Sequence, residues 1–155
     1  DVYRVICQGL EAMSWSGRME EIEPDVFVDG AHNEPAITAF CTTVTRMYQD
    51  KKVILLFAVS SDKSYNKMIP ELCHRLDLET VIVTAIQGVR TTPVETVAEL
   101  FEKYTKQTVL RNEDLYKAYQ SAKERMNASQ GKSRVFCVGS LYLVGELLEI
   151  KKRDY

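Results

Sequence analysis

Reactive side chains gather in a few short stretches of this chain: Asp29-Gly-Ala-His32-Asn33, Ser60-Ser-Asp62-Lys63, the run from Thr84 to Thr92 that carries Arg90, and Gly139-Ser140. Each offers a different chemistry. The Asp29 carboxylate can accept backbone N–H groups at a helix start. His32 stands one residue before Asn33, the expected helix cap, where it is open to a ligand. Lys63 and Asp62 fit a turn's solvated charges, although a lysine beside a transferring phosphoryl group also stabilises the charge that builds there. Ser140 can cap the helix that follows it, or join the free N–H groups of that helix in holding an anion. Arg18 brings a planar guanidinium suited to a pair of phosphate oxygens. The remaining candidates are weaker. His74 lies beside Cys73, but neighbours one apart on a helix face different directions, so a Cys-His catalytic pair is not expected. Cys7, Cys41, Cys73 and Cys137 form no Cys-x-x-Cys pair or zinc spacing and read as reduced core thiols of a cytoplasmic protein. No Gly-x-Gly-x-x-Gly follows a strand and no Gly-x-x-x-x-Gly-Lys-Ser/Thr occurs, so neither glycine-rich phosphate cradle is present.

The elements that must position these residues are legible in the pattern. With 155 residues, 45% hydrophobic and 27% charged, the chain suits one folded domain. Twenty basic against 22 acidic residues give a net charge of −2, too little positive charge for a nucleic-acid or anionic-membrane partner. Its apolar runs also fall far short of the roughly 20 residues that span a bilayer. Five runs have strong β propensity: 26–28, 53–57, 81–83, 108–110 and 135–138. They alternate with segments of helical period and are continuously apolar, as strands are when helices cover both faces. A further edge strand is expected over 18–22, before the Glu23-Pro24-Asp25 turn.

Helices are expected over 33–48, with Ile37, Phe40, Val44 and Met47 facing inward, and over 93–104, opened by Thr92 as cap, Pro93 and Glu95. Another should start at an Asn112 cap and carry Leu115, Ala118, Tyr119, Ala122 and Met126 on one face. Pro70 predicts that the segment 64–76 begins as a turn and becomes helical only near Ile69. The last helix, 140–150, should pack Leu141, Val144, Leu147 and Leu148. The expected class is therefore α/β: a three-layer, Rossmann-like, mostly parallel sheet of about six strands with helices on both faces. Such a sheet binds ligands at the carboxyl ends of its strands, where the reactive stretches fall.

Trp15-x-Gly17-Arg18-x-Glu20, Asp29-Gly-Ala-His-Asn33 after a strand, Ser61-Asp-Lys63 after the next, and Gly139-Ser-Leu-Tyr-Leu-Val-Gly-Glu146 after the last closely resemble the C-terminal domain of folylpolyglutamate synthase/dihydrofolate synthase, in the Mur ligase superfamily. The resemblance implies a domain that closes over an ATP site housed mainly in its own preceding central ATPase domain. It implies ATP and Mg2+ as cofactors, with the metal ligands upstream, and folate or dihydropteroate and L-glutamate as substrates. A folate carboxylate is activated as an acyl phosphate, which the glutamate amine displaces. By the same resemblance Arg18, Asp29 and Asn33 face ATP, His32 and Ser140 face glutamate, and His32 and Lys63 carry catalytic roles. No metal ligand is assigned to this chain. Trp15 is expected to anchor the domain junction, with residues 1–14 ending the preceding domain and 15–155 forming the ligase domain. An opening Asp1 fits a cut from a longer polypeptide. Two alternatives stand beside this reading: a free-standing α/β ligand-binding module, and the C-terminal domain of a Mur-type peptidoglycan ligase. The Gly139-Ser-Leu-Tyr-Leu block favours the folate branch.

Overall fold

The computed structural model describes residues 19–88 and 90–153. Cys7, Trp15, Arg18 and the proposed junction 1–14 lie outside them. The order of elements is β1 (Glu20–Glu23), β2 (Val26–Val28), α1 (Glu34–Met47), β3 (Lys52–Phe57), α2 (Tyr65–Arg75), β4 (Leu78–Val83), α3 (Val94–Tyr104), β5 (Thr108–Arg111), α4 (Leu115–Ala128), β6 (Ser133–Val138) and α5 (Leu141–Arg153). The six strands form one sheet in the order β1-β2-β6-β3-β4-β5. All neighbouring pairs are parallel except β1 with β2.

Alternation along the central strands divides the core in two. Phe27, Leu55, Phe57, Val81, Val83 and Phe136 face α1, α2 and α3, while Val28, Ile54, Leu56, Ile82 and Cys137 face α4 and α5. The expected three layers result. On the first face Phe27 stacks on Phe136 at a centroid distance of 5.3 Å, and Phe40 of α1 meets Phe136 edge-on at 6.0 Å, so the aromatic rings fix where α1 lies.

Several local expectations are corrected. The edge strand runs from Glu20 to Glu23, later than the 18–22 expected, and pairs antiparallel through a bulge between Glu21 and Glu23. Helix α2 begins at Tyr65 and contains Pro70, instead of starting near Ile69. The proline forfeits one hydrogen bond to the Asn66 carbonyl, but continuing the helix through it buries Met68, Ile69 and Leu72 against the sheet, which outweighs that loss. Met47 is 69% exposed at the end of α1, whose buried residues are Ile37, Phe40, Cys41 and Val44. Neither capping expectation for α3 or α4 holds. Pro93 is the cap residue of α3 and no side chain caps that end; the Thr92 hydroxyl is buried without a hydrogen-bond partner, and Glu95 pairs with Arg111 instead. Asp114, not Asn112, caps α4 by accepting the Lys117 N–H, while Asn112 accepts the Asp114 N–H. In α5 the fully buried residues are Leu143, Val144, Leu147 and Ile150; Leu141 and Leu148 are only half-buried.

Candidate functional site

Helices α1, α2 and α3 leave β2, β3 and β4 on one face of the sheet, whereas α5 leaves β6 on the other. Because β6 lies between β2 and β3, the chain diverges on both sides of its carboxyl end, the topological switch point at which open α/β sheets place their binding crevice. The first reactive stretch follows β2 and the last follows β6, so they share that crevice.

Main-chain hydrogen bonds lock these two stretches together. The Asp29 N–H donates to the Cys137 carbonyl at 2.9 Å, and the Gly139 N–H donates back to the Ala31 carbonyl at 3.0 Å. Asp29 is 7% exposed, and its Oδ1 accepts the Ala31 N–H at 2.8 Å, closing a turn rather than a helix start. Gly139 has φ +118°, and a Cβ there would meet the Ala58 carbonyl oxygen at 2.3 Å and the Phe57 ring at 2.9 Å. Only glycine lets β6 turn away at this point without forcing β3 aside.

His32 and Asn33 extend the same stretch. His32 Nδ1 lies 2.8 Å from the Gly30 carbonyl, which can only accept, so Nδ1 donates its N–H and Nε2 is the ring nitrogen left to face a ligand. Asn33 caps α1, its Oδ1 accepting the Ala36 N–H at 3.0 Å, which leaves its amide NH2 as a donor. Across the crevice the buried Ser140 hydroxyl accepts the Tyr142 N–H at 3.1 Å, the helix-start role open to it from the sequence.

The loops after β3 and β4 are joined in a second construction beside this one. The Ser61 N–H donates to the Arg90 carbonyl at 3.2 Å, Ser60 and Thr91 form an antiparallel bridge, and the Thr92 N–H donates to the Val59 carbonyl at 2.9 Å. This short ladder holds Asp62, Lys63 and Arg90 at the same edge of the sheet. Helices α2 and α3 both start from it without a side-chain cap.

Titration is displaced mainly at the opposite, amino-terminal edge. Burial pushes the Asp25 carboxyl up, but hydrogen bonds and charge from Lys51 and Arg134 outweigh it and hold the group below its ordinary range. Glu23 behaves alike: burial opposes ionisation, and Tyr119 and Lys123 overcome it. The first set joins strand ends, the second ties the end of β1 to α4, and both belong to the scaffold. Burial raises the thiols of Cys41 and Cys73 to about 12, and that of Cys137 still further, so none is a nucleophile near neutrality.

Among the described residues no three or more His, Cys, Asp or Glu side chains meet in a way that could hold a metal ion. No described helix is long and apolar enough to cross a membrane. A cleft of about 490 Å³ lies beyond the joined loops, lined by Gln87, Glu113, Tyr116, Glu146 and Arg153 among others, and holds none of the expected site residues. Sequence reasoning found Asp29, His32, Asn33, Lys63 and Ser140 at the carboxyl edge but missed the Ala31–Gly139 bond and the Ser61–Arg90 ladder. Main-chain bonds leave no trace in side-chain types; the glycine before Ser140 was the available signal.

Residues 16–150 match the family described as the C-terminal domain of dihydrofolate synthetase. The dihydrofolate synthetase of Saccharomyces cerevisiae is 28% identical over 159 aligned positions, covering 91% of this chain and 36% of the yeast protein. The dihydrofolate synthase/folylpolyglutamate synthase of Bacillus subtilis is 33% identical over 66 residues, 41% of this chain and 15% of that protein. This chain thus spans about a third or less of the length of either relative. The same fold occurs in the Mycobacterium tuberculosis folylpolyglutamate synthase complexed with ADP, at a TM-score of 0.81 and 22% identity, over 92% of this chain and 34% of that one.

Proposed function

The chain belongs to the family of dihydrofolate synthetase C-terminal domains, and from that premise we propose that it forms one wall of the active site of an ATP-dependent ligase joining glutamate to a folate carboxylate. The observation that carries the reading is the hydrogen-bonded union of the Asp29-Gly-Ala-His-Asn33 and Gly139-Ser140 stretches at the carboxyl end of β6. A crevice with an anion-holding helix start on one side and a carboxylate, an imidazole and an amide on the other suits two polar substrates meeting there.

In this reading the rest of the site comes from preceding domains like those of the longer relatives. A folate carboxylate oxygen attacks the γ-phosphorus of ATP, the bond to ADP breaks, and an acyl phosphate forms. The glutamate amine then attacks the acyl carbon, loses its proton, and expels inorganic phosphate as the C–O bond breaks. From this chain, Asp29, the Asn33 amide and Arg18 hold the nucleotide. Lys63 steadies the charge that builds on the transferring phosphoryl group. Ser140 retains its O–H proton as a donor, and with the α5 N-terminus it holds the glutamate α-carboxylate. His32, through Nε2, takes a proton from the ammonium group so that the amine can attack. No step is assigned here to Mg2+, whose ligands the resemblance places in the preceding domains.

Steady-state kinetics of the full-length ligase, with each substrate varied in turn, test the division of labour. Ser140→Ala and His32→Ala should each raise KM for glutamate about tenfold or more and leave KM for ATP nearly unchanged, the scale of one lost hydrogen bond to a charged group. Asp29→Asn keeps an oxygen for the Ala31 N–H but removes the charge, so it should lower kcat/KM for ATP on the order of 10²-fold with little change in thermal midpoint. If the ATP term moves for Ser140 and the glutamate term does not, the two halves of the site are wrongly assigned.

A further inference from the structure

Glutamate presents three charged groups, and the reading above provides partners for only two, the α-carboxylate and the amine. Its side-chain carboxylate still needs a cation, and the joined loops hold one without a role. Arg111, Arg125, Arg134, Lys51 and Lys123 are each paired with a carboxylate elsewhere in the fold. Arg90 is exposed, and among the described residues its guanidinium takes part in no hydrogen bond or ion pair; the Lys63 ammonium, already placed at the phosphoryl group, likewise has no partner among them.

The backbone beneath Arg90 is anchored: its carbonyl accepts the Ser61 N–H, and the next two residues bridge to Ser60 and Val59. With the main chain already fixed there, only the side-chain rotamers remain to be ordered when the guanidinium binds, a smaller cost than ordering the loop as well. Position also fits. Strand β3 separates β4 from β6, so their carboxyl ends stand about 10 Å apart at the usual strand spacing. An extended glutamate whose α-carboxylate rests at Ser140 and an arginine rooted after β4 together span that gap. The uncapped starts of α2 and α3 add positive potential at this edge, against which the exposed Asp62 is the opposing charge of the β3 loop. A planar fork that binds a carboxylate through two parallel hydrogen bonds distinguishes it from an amide of the same shape.

We propose that Arg90 binds the side-chain carboxylate of the incoming glutamate and so sets the preference for an acidic amino acid; the assignment rests on the ligase reading above. The test uses the full-length ligase with glutamate, glutamine and norvaline as competing acceptors. Arg90→Ala should lower kcat/KM for glutamate on the order of 10²-fold and leave the much lower values for glutamine and norvaline within about threefold, so that discrimination collapses. Arg90→Lys should restore part of the preference, and Arg90→Gln, close in length and uncharged, should behave like the alanine variant. Equal losses for all three acceptors, or no loss for glutamate, would overturn the role of Arg90 while leaving the ligase reading intact. Failure of the unaltered enzyme to add any glutamate would overturn both.

Discussion

A single methyl group decides whether the crevice can form. At position 139 it would collide with the Ala58 carbonyl oxygen, a backbone atom that cannot rotate away, in a conformation that L side chains rarely adopt. Gly139→Ala should therefore cost about 2 kcal/mol or more of stability, read as a lower urea midpoint. A variant as stable as the parent would mean that β6 can shift sideways at no cost, and the bond from Gly139 to Ala31 would then lose its structural meaning. Asn33 illustrates a gentler economy of means: one end of its amide closes α1 and the other remains available to a ligand. Thr92 shows the reverse, because its main-chain N–H is engaged by Val59 and its buried hydroxyl is left without a partner.

Elements are joined at the amino-terminal edge by charge rather than by glycine. Asp25, at the turn into β2, bonds both Lys51 before β3 and Arg134 in β6, and Arg134 also reaches Asp50. Asp25 is 38% exposed at its side chain, so solvent screens much of this attraction. The sign of its pH dependence is still definite. The folded state holds the Asp25 carboxyl below its ordinary value, so its contribution is complete above the unfolded carboxylate range near pH 4 and is lost as pH falls through the lower folded value. Urea midpoints measured from pH 6 down to pH 2.5 should decline less steeply for Asp25→Asn than for the parent chain. Parallel curves would mean the network contributes nothing. Helix α2 carries the complementary lesson, since an interior proline did not end it once Met68, Ile69 and Leu72 had a sheet to cover.

At the scale of the whole molecule, the described residues form a scaffold whose reactive stretches share one edge. Five helices and six strands are described, and the reactive stretches all emerge where parallel strands end. By the proposed reading the phosphate-holding and metal-holding groups lie in domains like those of the longer relatives. The 155-residue chain alone should then give a cooperative thermal transition yet neither hydrolyse ATP nor ligate glutamate, because the groups that supply most of the electrostatic stabilisation of phosphoryl transfer are missing. Phosphate release and product assays with Mg2+, ATP, folate substrate and glutamate check this. Sustained turnover by the chain alone would point to a self-sufficient catalyst and refute the shared-site reading.

By itself the sequence determined the class of the fold and the edge at which its reactive side chains gather. Continuously apolar strands such as 53–57 and 135–138 can only be buried on both sides, and that requirement places helices in two layers and loops at the strand ends. It also determined the kinds of chemistry at that edge, since Asp29, His32, Lys63 and Ser140 are read directly from their positions after strands. Tertiary structure decided the rest. Which strands are neighbours depends on long-range pairing, and only the insertion of β6 between β2 and β3 brings residues 29–33 against 139–140. Local rules failed where a distant surface offered more than the local signal cost: Pro70 stayed in a helix that the sheet stabilises, and Thr92 gave up its cap to join β3's loop. Arg90 was visible as a charge in a loop. The ladder that gives it an address consists of backbone groups, which every residue type supplies alike.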